Sequence, residues 1–242
     1  MRKFLLTAVV ALLVVSAGCV GLITGETVEF EASNATVADD ATESAGYGLN
    51  NSTQREITRD VSFLGQERTI RVVNHVNRYT KNGTLGGNAT DAVDTVENET
   101  LQRVAENESV QQAAENRTVS APDAARFVVV SSPGAKVLGQ TLNPAAGWGN
   151  DRILEQVSEQ TGKLDNVEFQ ENRTTESLGE SRTVSEFTAT TEIRDQNVDV
   201  QAHVASFEHE GDVIIVVAVH PEAMDEEDDI DEMLAGIEHS GN

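Results

Sequence analysis

Apolar residues are spread unevenly along this chain, and their spacing is most regular in the C-terminal third. Residues 183–193 and 198–208 read as strands, and residues 213–219 form an unbroken β-branched, apolar run. Between the last two lies Glu210-Gly211, a dipeptide suited to a two-residue hairpin turn. Counting outward from that turn pairs His209 with Asp212, Phe207 with Ile214, Val204 with Val217 and Ala202 with Val219. Apolar pairs then fall on both faces, so the last strand is expected to be central and covered on both sides. After His220-Pro221, a helix over residues 222–237 would turn Ile230, Met233, Leu234 and Ile237 onto one buried stripe.

The N-terminal half is less regular. A strand is expected at 24–29, a short helix at 35–45, and two strands at 57–63 and 67–79 joined at Leu64-Gly65-Gln66. In the second, Ile70, Val72 and Val76 share one face, and Arg71, His75 and Asn77 share the other. Residues 127–130 form a short buried strand, closed by Ser131-Ser132-Pro133-Gly134. Asn150 is expected to cap a helix through residue 161, with Ile153, Leu154 and Val157 inward and Gly162 as its stop. Residues 81–118 are polar, carry only a weak stripe of Val93, Val96, Leu101 and Val104, and read as an exposed helical insertion. The expected class is α+β: an antiparallel sheet with packed helices, in one domain over residues 26–242.

The first nineteen residues add an address. Arg2 and Lys3 precede an apolar stretch at 4–15, too short for a spanning helix of about twenty residues, and small residues follow at 16–18. This is the layout of an export signal over residues 1–18, and Ser16-Ala17-Gly18-Cys19 resembles a lipobox. Cys19, the only cysteine of the chain, would then be lipidated, with residues 19–25 as a tether. The alternative is an uncleaved anchor, because residues 20–23 extend the apolar run to spanning length. Either way the body lies outside the cell, at its surface, with the membrane as partner. With no second cysteine there is no disulfide.

Composition agrees with export. Beyond residue 18 the chain keeps fifteen basic residues against forty-one acidic ones, and only Lys81, Lys136 and Lys163 among its lysines. So negative a surface repels nucleic acid and anionic lipid. At molar salt the Debye length is about 3 Å, so carboxylate repulsion vanishes while the hydrated carboxylates preserve solubility. This is a halophile surface; an acidic ligand- or calcium-binding protein is the competing reading. Nine Asn-x-Ser/Thr sequons start at Asn34, Asn50, Asn51, Asn82, Asn88, Asn98, Asn107, Asn116 and Asn172. Chance would give about 2 or 3, so these asparagines are candidates for glycosylation.

The order of lipobox, Arg68-x-x-Arg71-Val72-Val73-Asn74, the Phe-Val-Val-Val-Ser-Ser-Pro run at 127–133, the Gly-Gln-Thr-Leu-Asn-Pro run at 139–144 and a last strand ending in His220-Pro221 resembles a haloarchaeal family of uncharacterised secreted lipoproteins. That resemblance implies an anchored extracellular lipoprotein and names no chemistry.

Catalytic patterns are near misses. Gly179-Glu180-Ser181-Arg182-Thr183 lacks the closing glycine of a nucleophile elbow, and Ser132 stands four residues from Lys136 where a Ser-x-x-Lys site needs three. The hairpin register makes His203 and His220 diagonal neighbours within reach of a shared ion. A metal wants a third ligand, and none is evident. The acidic run 225–229 lacks the glycine and alternation of a calcium loop and reads as a solvated helix start. No catalytic residue, metal site or cofactor is assigned. The expected role is a non-enzymatic binding or envelope module of a halophilic archaeon, with an envelope protein or small solute as partner. The alternative is an extracellular enzyme with a site of dispersed residues.

Overall fold

The computed structural model describes residues 27–63, 66–86, 118–137, 140–141, 143, 145–161, 164–193 and 196–240. Its elements are β1 (Val28–Glu31), β2 (Ala35–Val37), α1 (Asp39–Ser44), β3 (Gly48–Phe63), β4 (Gln66–Gly86) and β5 (Thr118–Pro133). Then come the two-residue strands β6 (Lys136–Val137) and β7 (Gln140–Thr141), followed by α2 (Asn150–Thr161). The chain continues through β8 (Asp165–Ser177), β9 (Glu180–Ile193), β10 (Gln196–His209), β11 (Asp212–Pro221), α3 (Glu227–Ala235) and β12 (Ile237–His239).

The fold class is therefore mainly β, which corrects the α+β expectation. One eight-stranded sheet dominates, and the helices among the described residues have only 6, 12 and 9 residues. The sheet is mixed, because β1 runs parallel to β4 while every other pairing in it is antiparallel. β3 follows one edge of β4; β1 and then β5 share its other edge, and β11, β10, β9 and β8 continue the sheet.

The excess of strand over expectation comes from polar strands. Residues 165–172 of β8 and 51–58 of β3 are exposed, and neither stretch carries a sustained apolar alternation. Thr53 and Thr58 in β3, and Val167 and Phe169 in β8, supply β preference there without burial. Residues 81–86 belong to β4 and residue 118 to β5, so the expected helical insertion is narrower than 81–118. Residues 87–117 lie outside the described part. The expected helix at 222–237 is likewise shorter. α3 ends at Gly236, and Ile237 enters β12, where it pairs with Val37. Asn150 does not cap α2: Gly149 supplies the first acceptor, to the Ile153 N–H at 3.1 Å. The Asn150 amide donates instead to Ser185 Oγ at 2.9 Å, fastening α2 to β9.

The β10–β11 hairpin has the register read from the sequence, His209 with Asp212 through Ala202 with Val219. Positive φ at Glu210 (49°) and Gly211 (93°) makes the turn type I′, whose twist matches that of the strands. The two faces of β11 feed separate cores. Ile214, Val216 and Ala218 join Phe127, Ala205, Ile230, Met233 and Leu234 beneath α1 and α3. Ile215, Val217 and Val219 face Ile153, Leu154, Phe187 and Val204 on the α2 side. In the first core Tyr47 and Tyr79 each meet the Phe127 ring edge-on at 6.4 Å, and the Tyr79 hydroxyl accepts the Val37 N–H at 2.8 Å.

Gly86 and Thr118 are register partners, so the segment between them leaves and re-enters the sheet at adjacent positions. Replacing residues 87–117 by Asn-Gly should then leave the melting temperature, followed by circular dichroism, nearly unchanged at high salt. Truncation after Pro221 removes Ile230, Met233 and Leu234 from the first core and should unfold the protein, since burying each such side chain is worth about 1.5–3 kcal/mol. The reverse ranking would show that the division into core and appendage is wrong.

Candidate functional site

Three polar constellations stand out among the described residues. The first lies in the sheet centre, on the α3 side. His203 opposes Ala218, and His220 opposes Gln201, so the two imidazoles are diagonal neighbours, as the sequence register required. Their Nε2 atoms are 3.0 Å apart and the rings stack at 5.2 Å. His220 Nδ1 lies 3.0 Å from the Pro221 carbonyl, which can only accept. In the neutral pair His220 Nδ1 therefore carries the proton, and its Nε2 accepts from His203 Nε2. A direct hydrogen bond joins these rings. Burial above all, then His220 and Arg173, pushes His203 down to about 3, and burial lowers His220 as well.

Around this pair a charge network reaches α3. Arg173 of β8 donates to Glu186 of β9 and to Asp231 of α3, with Glu227 at 3.8 Å. Burial opposes the Arg173 charge, but the bonds to Asp231 and Glu186 outweigh it and leave its pKa raised.

The second constellation grips the start of α3. Glu226 is 3% exposed, which corrects the expectation that the acidic run 225–229 is simply solvated. Its carboxylate accepts from Lys81 Nζ at 3.0 Å and from the Tyr47 hydroxyl at 3.0 Å, and Lys81 also bonds Asp229. Burial and then Glu226 push the Tyr47 phenol well up. Removing one member of such a buried pair costs about 3–5 kcal/mol, because the other charge is stranded.

The third lies at the β10–β11 turn, where β12 ends. Asp212 Oδ2 accepts the Ser33 N–H at 2.7 Å and sits 3.1 Å from His239 Nε2. His239 Nδ1 is 3.6 Å from Glu210 Oε2, and the His209 ring stands edge-on to His239 at 5.4 Å. An open groove beside it is lined by Glu29, Glu31, Ser33, Gly134, Glu210 and Asp212. The Gly134 N–H bonds the Gly211 carbonyl at 2.8 Å, and a Cβ at Gly134 would lie 2.5 Å from that oxygen. Only glycine allows this approach, which pins the turn. The sequence pairs His209 with Asp212, but no local signal brings His239 to them.

The remaining candidates are dispersed. Cys19, Asn88, Asn98, Asn107 and Asn116 lie outside the described residues. Asn50, Asn51 and Asn82 are exposed on β3 and β4. Asn34 is partly buried and accepts from the Asn77 amide at 2.8 Å, while the Asn172 side-chain oxygen accepts from Ser185 Oγ at 2.7 Å. Ser132 accepts from the Asn143 amide at 2.9 Å, and Ser181 follows the β8–β9 turn; neither has a catalytic partner among the described residues.

His203 binds a proton more weakly when folded than at its ordinary value of 6.5, so the unfolded chain takes up more protons as pH falls below that value. Stability should therefore drop by about 2 kcal/mol per such histidine between pH 7 and pH 5. His203→Gln should flatten that slope in urea melts at fixed molar salt. An unchanged slope would show that the pair is not what senses acid.

Among the described residues no helix is long and apolar enough to cross a membrane. No curated protein matches the chain. Among solved structures, the crystal structure of PA94, a protein of unknown function from Pseudomonas aeruginosa, aligns at 14% identity over 43% of this chain and 77% of its own. Its TM-score of 0.22 is too low to argue a shared fold. The family match is extensive, covering residues 34–238 and so β2 through α3 with the first two constellations and the β10–β11 turn, and ending one residue before His239: the chain belongs to the family described as Domain of unknown function (DUF6517).

Proposed function

We propose that this protein is a non-enzymatic envelope module of a halophilic archaeon, held at the outer membrane face by a lipid on Cys19. The observation that carries the reading is the run from export signal to lone cysteine, followed by a docked strand nine residues later at Val28. Nine residues reach at most about 30 Å, so a lipid at Cys19 would hold the β1 edge close to the bilayer. The partner is then another envelope component or a small solute reaching the exposed sheet.

Two features support the rest. Lys81 and Arg173 are drawn into half-buried pairs with Glu226, Asp229, Glu186 and Asp231, which removes two cations from the surface. His203 and His220 bond each other, Glu226 bonds Tyr47 and Lys81, and all three side chains are buried. The exposed Asn50, Asn51 and Asn82 are where surface glycans would sit.

In membrane fractions the wild-type protein should sediment with lipid and Cys19→Ser should appear in the medium, with mass analysis of the N-terminal peptide giving an acylated Cys19. An intact Met1 terminus, or full retention of the variant, would replace the lipid with a spanning anchor. Melting temperature should climb between about 0.1 M and molar salt as the Debye length shrinks from about 10 Å to 3 Å. A flat profile would refute the halophilic assignment.

A further inference from the structure

We infer that the β10–β11 turn and the end of β12 form a binding site for a divalent transition-metal ion of the zinc type, with His209, Glu210 and His239 as ligands and Asp212 as the group that orients His239. Their donor atoms all lie within 4.8 Å of one another, the only such trio of His, Cys, Asp and Glu among the described residues.

The proton positions carry the argument. The Asp212 carboxylate can only accept, and it already holds the Ser33 N–H at 2.7 Å. His239 Nε2, 3.1 Å from that carboxylate, must therefore carry a proton. In the neutral ring this leaves the lone pair on Nδ1. That atom is buried and has no hydrogen-bond partner, and the side chain is 1% exposed. What it faces, at 3.6 Å, is another acceptor, Glu210 Oε2. A cation bound between these two acceptors would satisfy both, and here, unlike at His203 and Glu186, a second imidazole stands beside them.

The separation suits a metal. Tetrahedral zinc holds nitrogen at about 2.0–2.1 Å and oxygen at about 2.0–2.2 Å, which sets neighbouring ligand atoms about 3.4 Å apart. The Nδ1-to-Oε2 distance is already close to this, and rotation of the half-exposed His209 ring supplies the third donor. A carboxylate on the far nitrogen of a ligating histidine is the usual support for such a ligand, fixing its tautomer and raising its basicity. Two imidazoles and one carboxylate favour zinc-like ions over magnesium or calcium, which prefer all-oxygen shells. The three ligands leave a fourth position for water or a solute's donor atom. Glu29 and Glu31 on the groove wall add a field that attracts cations. Binding would lock the last strand to the central hairpin whether or not the chain is lipidated.

The test uses the untagged chain from residue 20 onward at molar salt, after chelator treatment. Titration with Co2+ alone should give the visible absorption of a four-coordinate site, saturating at one ion per chain. Zn2+ should displace the cobalt and raise the melting temperature, and a large excess of Mg2+ should do neither. His209→Gln and Glu210→Gln, both at accessible positions where folding is safe, should each abolish the band. Asp212→Asn should weaken affinity about 10–100-fold while the band persists. Absence of a saturable band, or a band unaffected by His209→Gln, would overturn the site. Displacement by Mg2+ would also overturn it, since that is how a diffuse carboxylate surface behaves.

Discussion

The structure turns on a strand that is apolar on both faces. In β11, alternate residues serve opposite cores, so neither face can be left to water. A sheet interior of this kind needs a cover on each side, and the described residues supply little helix for the purpose. α2 covers one side with Ile153 and Leu154. On the other, α3 brings Ile230, Met233 and Leu234, while α1 and the short β2–β12 ladder close the margin. The outer strands β3 and β8 can be polar and wet because β11 and its neighbours already hold the buried surface.

The position of α3 shows how the polar clusters and the core depend on each other. Lys81 on β4 holds Glu226 and Asp229, while Arg173 on β8 holds Glu227 and Asp231. β4 and β8 are separated in the sheet by β5, β11, β10 and β9. One nine-residue helix is thus gripped from two distant strands, with its apolar stripe directed at the strands between. Such pairs add little net stability over apolar substitutes, yet a misplaced helix would strand the charges. They fix where α3 sits more than how strongly it is held.

How far the sequence could be read follows from the range of the interactions. The β10–β11 register was legible because a turn dipeptide and alternating apolar residues lie within one short stretch, and the His203–His220 contact followed from it. β8 was not legible, since Val167 and Phe169 are a single alternating pair in an otherwise polar, exposed run, too short to mark a thirteen-residue strand. Glu226 read as one more solvated acid because its partner Lys81 is 145 positions away. His239 was silent for the same reason: only the pairing of β12 with β2 carries it to Asp212. Local chemistry was visible, and chemistry assembled by the fold was not.

The ladder between β2 and β12 also sets an order of events. Val37 cannot be covered until Ile237 exists to pair with it, and Tyr47 waits for Glu226 across 179 positions. Contacts of such range slow folding, because the loop must close before anything is gained. Export N-terminus first, as proposed above, would present β2 and Tyr47 to the outside long before β12 and Glu226 emerge. β3 and β4 can pair as soon as both have appeared, as can β10 and β11, because each strand's partner is its neighbour in sequence. The ladder between β2 and β12 would then be the last seam to close, after both hairpins.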